Sequence, residues 1–264
     1  MKIGLLGHPS LVSHSAMRLG FFVLSLLGPA VSFTFGQSSP DLKAVLDGVS
    51  RAYGNLSRYE VVETTTTELG GGNERESIKS NIRIAAEEPN KFRLEGEEFA
   101  VINGLRTDSG HGPIITVNDG SNVWEISPTA NSYAKVKPSD LPTIRMWAKS
   151  ADKEVFETPL MLRREAANVT LVREESLTLD GNNMDCFVIS LTLPNHPESR
   201  MLWIEKGRFL IRRIRSEQPA SQETLGRGIS ITSDFPVVNI GGPLPESMFV
   251  FSPPPFAVEV DKVR

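Results

Sequence analysis

The chain has 264 residues, with 28 lysines and arginines against 32 aspartates and glutamates, a formal net charge of −4. That balance excludes a basic nucleic-acid interface and a polybasic membrane-surface protein. One cysteine excludes a disulfide framework and a cysteine-ligated zinc or iron–sulfur site, and no run reaches the ~18–20 continuous apolar residues of a membrane span.

The first 36 residues read as a secretory signal peptide. Arg18 precedes the apolar, uncharged run Leu19–Val31, and Ser32-Phe-Thr-Phe-Gly36 leads into polar sequence. Gly20, Gly28 and Pro29 argue against a buried helix. Met1 and Met17 are both candidate starts, and cleavage fits between Ser32 and Gly36. Lys2 and Arg18 are the only charged side chains removed, which leaves 26 basic and 32 acidic residues. The expectation is an exported protein, periplasmic or extracellular. It has no transmembrane segment in the mature chain, and residues 37–264 form one domain. Cys186 is then a lone thiol in an oxidising space and is expected to be buried.

Pro40 to Leu56 has helical spacing, with Leu42, Val45, Leu46, Val49, Tyr53 and Leu56 on one face. Ser39 is the expected cap and Pro40 suits the first turn. From Tyr59 the period becomes two. Tyr59–Glu68, Ser77–Ile84 and Lys91–Glu95 read as strands, with turns at Gly70–Asn73 and Pro89-Asn90. Asn103–Pro113, with three glycines, reads as a flexible loop. Ile114–Asn118, Asn122–Ile126 and Ser132–Val136 form a meander. Pro138–Ala167 returns to helical spacing, and Pro142 and Pro159 predict two short helices or one broken helix. Strands resume at Val169–Arg173, Glu175–Leu179, Asp185–Leu193, Met201–Glu205, Phe209–Arg215 and Ile229–Val238. So many strands are enough for the sheet to coil as it twists.

No nucleotide-binding, metalloprotease or serine-hydrolase motif is present. His111 lies in Asp108-Ser-Gly-His-Gly112, where a glycine-flanked loop cannot orient a catalytic base. His196 lies beside Pro197, and neither histidine has a partner at metal-ligand spacing. Glu87-Glu88 and Glu97-Glu98 point to opposite sheet faces if extended. The arginines of Arg208–Arg215 fit a half-exposed strand with its arginines in solvent, or an anionic-ligand patch. No catalytic residue, metal site or cofactor is expected. Met146, Trp147, Phe156, Leu160 and Met161 are large for short, proline-interrupted helices. They either seal one face of the sheet or lid a cavity for an apolar ligand.

Three segments resemble those of the bacterial outer-membrane lipoprotein-carrier (LolA-like) superfamily. Glu88-Pro89-Asn90-Lys91-Phe92-Arg93 resembles its Arg-Pro-Asn-x-Phe hairpin. Asn118-Asp119-Gly120 through Trp124 to Pro128, followed by Tyr133, resembles its Asp-Gly…Leu-Trp hairpin. Phe249-Val-Phe-Ser-Pro-Pro-Pro255, then Val258-Glu-Val260, resembles its closing segment. The chain departs from the pattern at Glu88, where the family has Arg, and at Phe256, where it has Gly. The resemblance implies a mainly β (α+β) fold: a curved antiparallel sheet forming an incomplete β-barrel, with an N-terminal helix and a short helical lid. It implies a non-catalytic carrier or binder of an apolar ligand, such as a lipid or the acyl chains of a lipidated protein. Trp124, Met146, Trp147, Phe156, Leu160 and Met161 are the expected cavity or lid residues. A protein-binding or envelope-sensing module, working with an envelope protein partner, is the second reading; an exported hydrolase is the third.

Overall fold

The computed structural model describes residues 41–70, 76–108, 112–136, 153–165, 168–192, 198–220 and 227–263. The leader, His111, Met146, Trp147 and residues 193–197, which include His196, lie outside them. Two helices are described, α1 (Leu42–Ala52) and α2 (Lys153–Arg164). The strands are β1 (Arg58–Leu69), β2 (Glu76–Glu87), β3 (Lys91–Ile102), β4 (Leu105–Asp108), β5 (Ile114–Asp119), β6 (Val123–Ser127) and β7 (Ser132–Lys135). They continue as β8 (Val169–Leu179), β9 (Asn182–Thr192), β10 (Ser199–Glu205), β11 (Ile211–Gln218), β12 (Ile229–Ile240) and β13 (Val258–Glu259).

All thirteen described strands belong to one open, curved sheet in the order β13-β7-β6-β5-β3-β2-β1-β12-β11-β10-β9-β8, with β4 also on β3. It is a mainly β fold whose sheet does not close into a barrel, with an N-terminal helix and a second short helix. Every pairing is antiparallel except β13 on β7. The strand segments expected from the sequence omitted β4 and β13 and divided β8 in two. β8 is continuous because a register shift between Leu171 and Arg173 absorbs the break in alternation as a bulge. The expected flexible loop at Asn103–Pro113 instead begins with a hairpin. Asn103 (φ 51°) and Gly104 (φ 84°) both take positive φ, as a two-residue turn between β3 and β4 needs.

Helix α1 starts at Leu42 because the Asp41 carboxylate, rather than Ser39, caps it, accepting from the Lys43 N–H at 3.1 Å. It ends at Ala52, short of the expected Leu56. Helix α2 contains Pro159 without ending there. The lost N–H is offset because both sides of the proline dock on one core: Phe156 before it and Leu162 after it.

That core lies between the helices and the front face of the sheet. Val45, Val49 and Tyr53 of α1 and Leu162 of α2 meet Val61, Ile189, Leu202, Ile204, Ile211, Ile214 and Phe235. Gly48 is needed where α1 crosses Phe209: a Cβ there would overlap the Phe209 ring. Phe209, at φ 57°, is not in a strand as the sequence suggests but in the turn before β11, stacked 6.4 Å from Phe187.

The back face carries Cys186, Val188, Leu177, Leu179 and Trp203. It also carries the C-terminal tail. Leu244 and Phe249 pack on Ala85, and Phe251 stacks on Trp124 at 4.3 Å beside Tyr133 at 5.3 Å. The tail then adds β13 to the β7 edge.

Two bulges at the middle of the sheet hold each other. Pro236 sits inside β12, where the register with β1 shifts between Val62 and Thr64, one of the few places a strand tolerates proline. The β10–β11 register shifts between Trp203 and Ile204. Arg212 links the two: its Nη1 donates to the carbonyls of Phe235 (3.2 Å) and Pro236 (3.3 Å), and its Nε donates to Glu205 at 2.8 Å.

Candidate functional site

Strand alternation assigns each side chain to a face. Val61 faces α1, so Glu63, Thr65, Thr67 and Leu69 of β1 follow it along the front. The register extends these positions into rows. Val238, Val61, Ile84 and Leu94 form the first. Glu63, Ile82, Gly96 and Ile114 form the second. Ser233, Thr65, Ser80 and Glu98 form the third. Ile231, Thr67, Ile78 and Ala100 form the fourth, and Ile229, Leu69, Glu76, Ile102 and Leu105 the fifth.

The first row is buried in or beside the core. Beyond it the front face stays largely apolar but opens to solvent: Ile114 is 41 % exposed, Ile78 42 % and Ile102 38 %. These apolar side chains lie on the side that carries the helices, yet outside the helix-covered core. A polar row crosses it. Buried Glu63 accepts from the Thr65 hydroxyl at 2.7 Å, and Thr65 meets the Ser233 hydroxyl at 2.9 Å. Glu63, Thr65 and Ser233 thus form one hydrogen-bonded chain across the face. Among the described residues no group of three His, Cys, Asp or Glu could hold a metal ion.

The expected lid residues separate. Phe156 is packed edge-on against Tyr59 (4.5 Å) and Tyr53 (6.3 Å), and Met161 lies against the core. Leu160 points outward and is 68 % exposed. Trp124 is not near them. It pairs with Val117 and lies on the back face under Phe251, with Lys135 Nζ 5.6 Å from its ring centre. Neither hairpin spacing nor composition shows which face a single tryptophan takes; only the register does. Met146 and Trp147 lie outside the described residues.

The arginine run faces solvent only at Arg208 and Arg215, and its guanidinium groups carry ion pairs. Arg212 is buried on Glu205, Arg208 also grips Glu205 (2.8 and 3.0 Å), and Arg213 binds Asp234 at 2.9 Å. Arg213 meets Asp234 of β12 as its register partner, Arg208 and Arg212 share Glu205 of β10, and Arg215 pairs with Glu217 of its own strand. Burial opposes ionisation of Glu205, but Arg208 and Arg212 outweigh it and hold its carboxyl below the ordinary glutamate value. Trp203 donates its indole N–H to Glu175, whose carboxyl is held low by Arg173 first and by that indole second. Burial pushes the Cys186 thiol up to about 11, with the Glu205 charge adding to it.

No protein-family model matches the sequence, and no curated protein does. Among solved structures the chain is similar to a domain described as an outer membrane lipoprotein-sorting protein from Vibrio parahaemolyticus. That likeness has 10 % identity and a TM-score of 0.28, and covers 79 % of this chain and 97 % of that one. It is also similar to a LolA superfamily protein from Nitrosomonas europaea, with 10 % identity and a TM-score of 0.27, covering 81 % and 99 %. No described helix is long and apolar enough to cross a membrane.

Proposed function

We propose that residues 37–264 form one exported, non-catalytic domain, released by loss of residues 1–36, that binds an apolar ligand such as a lipid or the acyl chains of a lipidated protein. The observation that carries this reading is the half-exposed apolar front face at Ile78, Ile102 and Ile114, outside the core. An acyl chain laid along it would bury area at about 25 cal/mol per Å², or roughly 1.5–3 kcal/mol for each large side chain fully covered. The periplasm is the compartment the leader and the sequence resemblance favour.

Native mass spectrometry of protein purified from its host envelope, with lipid extraction of the same sample, tests it. The expected result is an added mass from an acyl-bearing molecule, reduced in Ile78→Ser and Ile102→Ser variants. A bare mass, together with no Nile red binding by the folded protein, overturns it. The packing of Phe156 against Tyr53 and Tyr59 favours the second reading, a protein-binding module with a filled front face, and that reading gains if the ligand is absent.

A further inference from the structure

We propose that Phe256 is the anchor of a docking site for a protein partner, one that adds an extended strand at β13 and receives the ring in an apolar pocket bordered by basic side chains. Phe256 is 93 % exposed and stands at φ 65°, a region bulky side chains avoid and glycine enters freely.

The conformation is fixed by its surroundings. The Asn131 carboxamide donates to the Phe256 carbonyl at 2.9 Å, the Val258 N–H donates to the Asn131 carbonyl at 3.0 Å, and the Ala257 N–H donates to the Pro254 carbonyl at 3.0 Å. Phe251, stacked on Trp124, ties down the chain just before the prolines. The fold thus holds a phenylalanine in solvent at a backbone position where glycine would cost less. Strain that the surroundings over-determine, on a side chain that packs against nothing, is the mark of a binding role.

The neighbourhood chooses the partner. Val258, 63 % exposed, and exposed Pro255 widen the apolar contact. β13 ends the described sheet, and among the described residues no strand pairs with its outer edge, where an extended segment could be added. Glu259 and Asp261 are exposed beside it, against Lys262 alone. An acidic border repels an anionic lipid surface and complements a basic rim. This inference does not depend on the apolar-ligand reading, because Phe256 belongs to the tail and not to the front face.

The test places photo-reactive p-benzoylphenylalanine at position 256 in the native host, identifies the crosslinked protein, and titrates it, purified, against variants of the full mature chain. One discrete adduct is expected. Phe256→Gly and Phe256→Asn should bind at least tenfold more weakly with denaturation midpoints no lower than the wild type. The charge reversal Glu259→Lys with Asp261→Lys should weaken binding further. The absence of an adduct, equal binding by Phe256→Gly, or a lowered midpoint for both variants overturns the proposal. So does Phe256-dependent flotation with phosphatidylglycerol vesicles, which would assign the ring to a membrane.

Discussion

The Tyr53 hydroxyl accepts a 3.0 Å hydrogen bond from the backbone N–H of Ile211, linking the end of α1 to the first residue of β11. Ile211 sits at the bulge where the β10–β11 ladder slips, so this N–H needs a partner from elsewhere. Burial pushes the Tyr53 hydroxyl well above its ordinary value, so it stays protonated at every physiological pH. Tyr53→Phe keeps the ring and strands the N–H. We expect a loss of about 1–3 kcal/mol, read from equilibrium urea unfolding; a neutral substitution would show that water replaces the hydroxyl.

Gly48→Ala should destabilise the protein although alanine is the better helix former by about 1 kcal/mol. The new methyl overlaps the Phe209 ring, which Phe187 backs. Overpacking of this kind costs roughly 1–3 kcal/mol. Adding Phe209→Ala to Gly48→Ala should remove the clash, so the double variant falls short of the sum of the singles.

Glu205 sets part of the acid stability. Its carboxyl is depressed in the folded state, so its contribution is present above the ordinary glutamate value of 4.5 and is lost as pH falls through the depressed value. Glu205→Gln leaves buried Arg212 with a neutral acceptor. It should cost, near pH 7, toward the lower end of the roughly 3–5 kcal/mol seen when one partner of a buried pair is removed. As pH falls from 4.5 through the depressed value the two proteins should converge, which chemical denaturation at pH 7 and at acid pH compares directly.

Phe156→Ala should cost about 3–5 kcal/mol if its contacts with Tyr53 and Tyr59 are those of a sealed core. A smaller loss, accompanied by a changed affinity for an apolar dye, would make α2 a cover that moves.

Cys186 should react with a thiol reagent at the rate of unfolding. It is buried with its thiol pushed up to about 11, so little thiolate exists at pH 8. Fast labelling of the native protein would place it at an accessible site.

Most strands were legible because alternation and turn residues are local signals. Asp180-Gly181 and Lys206-Gly207 stand where hairpins turn, and the sequence marks both. The same rule would have found the β3–β4 hairpin from Asn103-Gly104, had the glycines of that segment not been read together as a loop. Pro159 misled for the opposite reason: its local penalty is real, but docking on both sides of it carries the helix through. The front-face rows were illegible because they depend on β1 lying between β2 and β12, a pairing across distant sequence. Trp124 went to the wrong face for the same reason, since local spacing gives its parity and only the register gives its direction. The tight pairing of the Arg208–Arg213 run depends likewise on partners in β10 and β12.

The position of β1 in the sheet has a consequence for how the protein is made. One of its neighbours, β2, follows it at once, but the other is β12, and the Thr65–Ser233 hydroxyl contact spans 168 residues. During synthesis β1 through β7 can assemble while one side of β1 stays unpaired, an open edge awaiting β12. The back face around Trp124 and Tyr133 waits longer still, because Phe251 is made after β12. Pairings this distant in sequence fold slowly and leave intermediates prone to pairing with the wrong strand. A chain truncated before Leu244 would therefore emerge with its β1–β12 junction complete but an aromatic surface uncovered, a species that a quality-control chaperone could distinguish from the finished protein.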